Sequence, residues 1–192
     1  MTLRELEQLL RLSAEPIERP SDVQLDKAEA LLGTKLPKEY RDFIKVYGSG
    51  QVASFLGIYN PISHAKFGNL LEMALKDTEE YGISRAEFPD DYYFNRYPEA
   101  GGLLPWGRTD NGDHLYWLTR GQPCSWPIVV WKRDGDWHLF RIGFTNFIGG
   151  LLTGRWLINV FSSSFEHLEA EFKVLDRSSK PRYEITHIAD NL

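Results

Sequence analysis

The sequence lacks three features that would each place it in a recognisable class: paired cysteines, a long apolar run and an excess of basic residues. Cys124 is the only cysteine among 192 residues, so an internal disulfide and a four-thiolate zinc site are excluded, and a cytoplasmic setting is expected. The longest apolar region, residues 144–161, is interrupted by Asn146 and Arg155, which argues against a membrane span. The N-terminal ten residues mix charges with apolar residues, so we expect no secretory signal.

Negative charge is concentrated in one part of the chain. The net charge is −5, and residues 77–113 contain nine acidic and three basic residues, which leaves the remainder at +1. Such a segment repels phosphate backbones, so we expect no nucleic-acid partner. It would attract a basic protein, although an acidic face that is only solvated remains the alternative.

Length and composition indicate one globular domain. Hydrophobic residues make up 42% of the chain and charged residues 26%, as in ordinary globular proteins. Aromatic residues reach 14%, with six Trp and nine Tyr. We therefore expect some large aromatic side chains at the surface, where they are available for contacts.

Caps and apolar spacing predict four helices in the first half. They cover residues 3–12, 22–32, 37–47 and a stretch from 70 to before 82. Thr2 and Ser21 begin capping boxes, Pro37 suits the first position of the third helix, Asn69 caps the fourth, and Gly82 lies beyond its end. A strand is predicted over residues 52–59.

The second half reads as an antiparallel set of strands followed by helices. Strands are predicted over 114–118, 127–131 and 137–142, with a long loop or insertion over 83–100 and a polar tail after 176. Asp134 and Gly135 mark a hairpin turn. Thr145 is predicted to cap one helix, and a last short helix is predicted from Ser163 to about Val174. The order favours an α+β fold with a mostly antiparallel sheet.

The stretch from Gly102 to Leu118 suits a turn better than a metal or active-site loop. Asp110 and Asp113 resemble the start of a calcium loop, but the positions that follow are apolar and aromatic rather than oxygen ligands. We expect Pro105 and Gly107 to shape the approach to a turn, with the strand starting at His114.

Catalytic and cofactor motifs are missing. The glycines of residues 48–53 match a dinucleotide pattern, but they lie between a helix and a strand, the reverse of the required order. The five histidines lack metal-binding spacing, and no serine or phosphate-loop motif occurs. We expect no enzyme activity, metal or cofactor. A small hydrolase using His114 with Asp113 or Asp110, behind Trp106, is the minority alternative.

Three blocks, in order, resemble the SUKH superfamily. Its bacterial members are largely immunity proteins, and its fungal members regulate cell-wall synthesis. The blocks are Leu36–Gly50, Leu104–Trp131 and Phe144–Leu152. The similarity extends from about residue 22 to about residue 153. The chain departs from the family pattern in its longer, more aromatic 83–100 region and in the roughly forty residues after the third block.

The resemblance implies a single SUKH-like α+β domain over residues 21–160. An N-terminal helix and linker would occupy residues 1–20, and a C-terminal helix and tail residues 161–192. It also implies a cytoplasmic immunity protein that binds a toxin of a polymorphic or contact-dependent system and occludes it without chemistry. The expected toxin is of nuclease type and has a basic surface. The alternative is a non-catalytic regulatory or scaffold module that binds a cellular protein.

The charge and the aromatic residues together predict the partner-binding residues. Acids steer a basic partner, and aromatic side chains anchor it. The predicted contacts are Asp77, Glu79, Glu80, Asp90, Asp91, Tyr92, Tyr93, Tyr97, Trp106, Asp110 and Asp113. The sequence leaves the oligomeric state open between monomer and dimer.

Overall fold

A computed structural model describes residues 1–155, 160–161 and 169–176. Within these residues the chain forms five α-helices and nine strands. The helices are α1 (Leu3–Leu9), α2 (Asp22–Leu32), α3 (Lys38–Tyr47), α4 (Leu70–Glu87) and α5 (Phe144–Leu152). The strands are β1 (Arg11–Leu12), β2 (Gly50–Val52), β3 (Leu56–Ile58), β4 (Asn95–Arg96), β5 (Gly102–Thr109), β6 (His114–Leu118), β7 (Ile128–Trp131), β8 (Trp137–Phe140) and β9 (Glu171–Val174).

The first helices begin where their caps predict. Thr2 and Ser21 form complete capping boxes with Glu5 and Gln24, and α2 ends at Gly33, whose φ of 72° is left-handed. Helix α1 is three residues shorter than predicted. Residues 11–12 pair with β9 instead, because a sheet partner far along the chain satisfies their backbone groups.

The predicted strand over 52–59 is wrong, since the structure has a hairpin there. Strands β2 and β3 pair antiparallel, with Val52 opposite Leu56. Between them Ala53 and Ser54 both have positive φ, 54° and 51°. Neither residue is a usual former of such turns, so the sequence carried no turn signal.

Helix α4 is longer than predicted. It continues through Gly82 to Glu87, so part of the predicted loop over 83–100 is helical. A Cβ on Gly82 would lie 3.1 Å from Cδ of Arg96. Because Gly82 has no side chain, β4 can lie close against α4. Gly82 therefore does not end the helix.

The stretch that we predicted to be a turn is mainly a strand. Residues 102–109 form β5, with a register shift between Pro105 and Gly107, so the turn is confined to residues 110–113. The hairpin between β7 and β8 is confirmed, and Gly135 has a φ of 102°. Both strands lie within a residue or two of their predicted bounds.

Two predictions near the C-terminus need correction. Helix α5 is capped at Gly143 rather than Thr145, whose buried hydroxyl donates to the carbonyl of Met1 at 2.7 Å. Residues 171–174 form β9 rather than the end of a helix. The rest of that predicted helix, 163–168, and the tail after 176 lie outside the described residues.

All nine strands belong to one sheet. Its order is β1-β9-β2-β3-β5-β6-β7-β8, with β4 pairing to β5. The pairs β1 with β9 and β4 with β5 are parallel, and the others are antiparallel. The predicted α+β class with a mostly antiparallel sheet is therefore confirmed.

Apolar residues cover both faces of the sheet. On β6, Leu115 and Trp117 belong to the main core, whereas Tyr116 and Leu118 belong to a second cluster with Tyr81 of α4. Successive residues of a strand point to opposite faces. The part of α4 around Tyr81 and the segment after it therefore cover the face opposite to the main core, here called the outer face, whereas Leu70, Met73 and Ala74 at the start of α4 belong to the main core.

Candidate protein-binding surface

Helix α4 positions the acidic segment. The Asn69 side chain caps it by accepting from the backbone N–H groups of Leu71 and Glu72 at 3.0 and 3.3 Å. Its buried residues recur at helical spacing, and they are Leu70, Met73, Ala74, Asp77, Thr78 and Tyr81. The opposite side of the helix must therefore face away from the protein.

That opposite side carries apolar and acidic residues in alternation. Leu75 and Ile83 are 74% and 63% exposed, and Glu79 and Glu87 continue the same spacing of four. Residues four apart lie on one side of a helix. Leu75, Glu79, Ile83 and Glu87 therefore form a single stripe along α4.

The segment after α4 also carries exposed apolar and acidic residues. Phe88 and Tyr93 are 50% and 58% exposed, and Asp90 and Asp91 are also exposed. The indole N–H of Trp137 donates to the carbonyl of Asp91 at 2.9 Å. This bond fixes the segment against β8.

We call these exposed residues the acidic-apolar surface. Its members are Leu75, Glu79, Glu80, Ile83, Glu87, Phe88, Asp90, Asp91 and Tyr93. The set thus contains five exposed carboxylates and four large exposed apolar side chains. Glu80 forms an ion pair at 3.8 Å with Lys76, and such exposed pairs contribute little. A cluster of exposed apolar side chains is typical of an interaction site.

Three predicted contact residues are buried, so the prediction is wrong for them. Asp77 is 3% exposed, Trp106 0% and Asp113 6%. Trp106 packs edge-on against Phe144, with ring centroids 5.0 Å apart, because a large aromatic ring contributes most to stability in the core. None of the three side chains can contact a partner in this structure.

The turn between β5 and β6 explains the position of Asp113. Its carboxylate accepts from the Thr109 hydroxyl at 2.7 Å and from the Arg133 backbone N–H at 3.1 Å. Asp110 is exposed and accepts from the amide of Gln51 at 3.0 Å. The two aspartates therefore hold loops together rather than form a calcium site.

Two predicted tyrosines are half-buried and serve the fold. Tyr92 packs against Tyr81 with ring centroids 5.6 Å apart, and against Trp131 at 6.3 Å. The Tyr97 hydroxyl donates to the carbonyl of Leu32. Of the eleven predicted residues, five lie on the acidic-apolar surface: Glu79, Glu80, Asp90, Asp91 and Tyr93.

A buried polar cluster lies under α4. Nδ1 of His114 is 3.2 Å from Oδ2 of Asp77, and within the described part of the chain Oδ1 of Asp77 and the hydroxyl of Tyr59 have no hydrogen-bond partner. Burial raises the pKa of Tyr59, and the nearby carboxylate of Asp77 raises it further. The hydroxyl therefore stays neutral.

This geometry does not form the hydrolase site considered above. His114 pairs with Asp77 rather than with Asp113 or Asp110, and its side chain is only 13% exposed. Cys124 is exposed. Among the residues that the structure describes, no three His, Cys, Asp or Glu side chains are grouped to hold a metal ion.

The exposed apolar residues of α4 were missed by sequence reasoning. Leu75 lies within the predicted fourth helix, and Ile83 and Phe88 lie within the predicted loop over 83–100, so no prediction marks them as exposed contacts. The spacing of four from Leu75 through Glu79 to Ile83 and Glu87 was the available signal. The glycine at position 82 interrupts this signal, because it predicts a helix end there.

Among the helices that the structure describes, none has the length and apolar character needed to cross a membrane. No curated protein matches the chain. A family model described as SMI1-KNR4 cell-wall, of the SUKH type, matches residues 22–148. The match spans more than half of the chain, from α2 to α5, and includes the whole acidic-apolar surface. The chain therefore belongs to the SMI1-KNR4 family and contains a SUKH domain.

Proposed function

We propose that this protein is a cytoplasmic immunity protein that binds a cognate bacterial toxin and inhibits it by occlusion. The toxin would belong to a polymorphic or contact-dependent system and would have a basic surface, as nuclease-type toxins do. The observation that carries the proposal is the acidic-apolar surface. It combines five exposed carboxylates with four exposed apolar side chains on one helix and the segment after it.

Each kind of residue has a separate part in binding. The carboxylates attract a basic partner and raise the association rate, an effect that falls with increasing salt. Leu75, Ile83, Phe88 and Tyr93 supply apolar area that is buried on contact, at roughly 25 cal/mol per Å² of apolar surface removed from water. Such buried anchors determine the dissociation rate.

Inhibition in this proposal needs no chemistry by the protein. The carboxylates would occupy the position of substrate phosphates on the basic cleft of the toxin, so the substrate is excluded. The capped helix α4 presents Glu79, Glu80 and Glu87, the Trp137 bond fixes the segment of Asp90 and Asp91, and a preordered surface loses less entropy on binding.

Growth rescue tests the proposal. The toxin encoded next to this gene is expressed with the wild-type protein or with a variant in which Glu79, Glu80, Asp90 and Asp91 are all changed to Lys. All four side chains are exposed, so the fold should survive. We expect rescue by the wild type and none by the variant, since reversed charges repel a basic cleft.

A matched control carries the same change in net charge elsewhere. Its substitutions are Glu7→Lys, Glu15→Lys, Asp136→Lys and Glu169→Lys, all at exposed positions. Both variants should melt within a few degrees of the wild type. Full rescue by the first variant would exclude the acidic-apolar surface, and no rescue by the wild type would refute inhibition of that toxin.

The apolar contribution is tested by the double substitution of Leu75→Ser and Ile83→Ser. We expect the affinity for the purified toxin to fall roughly ten-fold or more, mainly through faster dissociation. Surface plasmon resonance separates the two rates. A change confined to the association rate would contradict the role of Leu75 and Ile83 as buried apolar anchors.

A further inference from the structure

A groove of about 510 Å³ lies on the outer face of the sheet, over β2, β3, β5 and β9. Outside these strands, its lining includes Ser63, residues 65–68 and residues 175–176. No residue of the acidic-apolar surface lines it. Its size is that of a ligand-binding cleft.

The floor of the groove is one row of residues across four strands. Strand register places Lys173 opposite Gln51, Gln51 opposite Gly57, and Gly57 opposite Arg108. Their chain neighbours Val52, Leu56 and Phe172 lie in the main core. The row therefore faces away from that core, and Gly57 leaves its centre without a side chain.

Two cations stand at the ends of this row. Among the described residues, neither Arg108 nor Lys173 makes a side-chain hydrogen bond or ion pair, and both are exposed. Three strand spacings separate them, which is about 14 Å between their Cα atoms. Lys66 also lines the groove, with its ammonium group over the Phe67 ring, and the acids of the lining are Asp110, which accepts from Gln51, and Asp176.

An aromatic ring stands at the rim of the groove. Phe67 is 48% exposed and has a φ of 65°, a left-handed conformation that is strained for a bulky residue. The ammonium groups of Lys66 and Lys76 lie 4.8 and 4.9 Å from the ring centroid. These cation–π contacts hold the ring in its exposed position.

We propose that the groove binds an extended acidic peptide segment. Residues of an extended chain advance by about 3.3 Å, so carboxylates four positions apart match the separation of Arg108 and Lys173. An apolar side chain between them would contact Phe67. This site is distinct from the acidic-apolar surface, because its charge is opposite and it contacts acidic rather than basic segments of a protein.

The observations favour a peptide over a nucleic acid. A nucleic-acid site with six to ten phosphate contacts neutralises as many charges, whereas this groove offers Arg108 and Lys173, and the acidic-apolar surface repels a repeated phosphate charge. Arg108 can bind a carboxylate through two parallel hydrogen bonds. A short segment with two carboxylates satisfies the available cations.

The test fills the groove without disturbing the fold. A Cβ on Gly57 would meet only the carbonyl oxygen of Arg108, at an ordinary 3.5 Å, and valine favours strands. Gly57→Val should therefore keep or raise the melting temperature while blocking the floor. Arg108→Ala and Lys173→Ala remove the charges, and Arg141→Ala is the control, since Arg141 is exposed outside the groove.

Fluorescence anisotropy would use a labelled five-residue peptide with glutamate at both ends and phenylalanine in the middle. We expect saturable binding by the full-length protein, weakened ten-fold or more by Gly57→Val, Arg108→Ala and Lys173→Ala, and unchanged by Arg141→Ala. The quadruple Lys variant of the acidic-apolar surface should still bind, so this test does not depend on toxin inhibition.

Three results would overturn the proposal. They are no saturable binding to the wild type, equal binding by Gly57→Val, and tighter binding of inorganic phosphate or of a ten-nucleotide single-stranded DNA that Arg108→Ala abolishes. The last result would reassign the groove to phosphate ligands.

Discussion

Asp113 shows how a residue that resembles a ligand can serve the fold. Its carboxylate accepts hydrogen bonds from the buried Thr109 hydroxyl and the Arg133 backbone, and so joins the β5–β6 turn to the β7–β8 hairpin. An acidic side chain beside a glycine and an asparagine gives the same sequence signal for a metal loop and for a turn. Only the positions of the hydrogen-bond partners distinguish a metal ligand from a residue that stabilises a turn.

Replacing Asp113 tests whether its carboxylate stabilises the fold. We expect Asp113→Ala to lower the free energy of unfolding by about 2 kcal/mol, because hydrogen bonds to a charged group are lost and the buried O–H of Thr109 is left without an acceptor. Urea denaturation measures the change. Asp110→Ala is the control, and its effect should stay within about 0.5 kcal/mol because the side chain is exposed. Equal losses of stability in the two variants would contradict this structural role of Asp113.

Aromatic residues are divided between the core and the outer face. Tyr40, Trp106 and Trp117 are almost wholly buried in the main core, whereas Tyr81 and Tyr92 join the second cluster. Burial raises the pKa of Tyr81 to about 12, so its hydroxyl remains a donor to the carbonyl of Phe94 at 2.8 Å. The surplus of aromatics therefore mostly fills two apolar layers, and Tyr93 is the exposed exception within the predicted set.

At the scale of elements, the β2–β3 hairpin departs most from its sequence signal. The Phe55 N–H donates to the carbonyl of Val52 at 3.1 Å, which closes a turn around two residues with positive φ. Turns of this kind favour Asn and Gly, whereas this chain has Ala53 and Ser54. Pairing with β5 and β9 on either side holds the strained turn in place.

Relieving that strain should stabilise the protein. Ser54 is exposed and has a φ of 51°, so Ser54→Gly removes a steric penalty without losing buried contacts. We expect a gain of about 0.5 kcal/mol or more in the free energy of unfolding, visible as a higher melting temperature. Ser54→Ala keeps the penalty and should give no gain. A gain from alanine equal to that from glycine would show that φ is not the cause.

The C-terminal end of α4 shows why a rule based on local sequence can fail. An internal glycine costs about 1 kcal/mol relative to alanine, so Gly82 was a reasonable stop signal. In the folded chain Arg96 packs where a Cβ would project, and buried Tyr81 anchors the helix to the outer face. Tertiary contacts therefore extend the helix beyond its weakest residue, and they determine how far the acidic-apolar surface reaches.

At the scale of the whole molecule, segments far apart in sequence share one sheet. Strands β1 and β9 pair in parallel, and β9 also pairs with β2. Leu6 and Leu10 of the N-terminal segment and Phe172 of β9 lie in the main core. The family match over residues 22–148 covers none of these three residues.

A core substitution in α1 tests whether this segment unfolds with the domain. Leu6 is 0% exposed, so Leu6→Ala should lower the free energy of unfolding by about 3 kcal/mol in a single transition. Leu9→Ala, on the same helix at 37% exposure, should cost less than about 1 kcal/mol. An unchanged main transition for Leu6→Ala would support the predicted domain boundary near residue 20.

The sequence by itself determined the class of the fold, most helix starts and the acidic character of one segment. Capping boxes, turn glycines and apolar periodicity act over a few residues, so they can be identified without knowing what lies nearby in space. The same holds for the family, whose blocks are strings of such local signals.

The tertiary structure decided which members of the acidic segment are exposed. Asp77, Trp106 and Asp113 are buried because residues distant in sequence, namely His114, Phe144 and Arg133, lie against them. Leu75 and Ile83 are exposed because α4 turns its other side to the sheet. Burial depends on contacts between segments far apart in the chain, so neither charge nor periodicity could determine it.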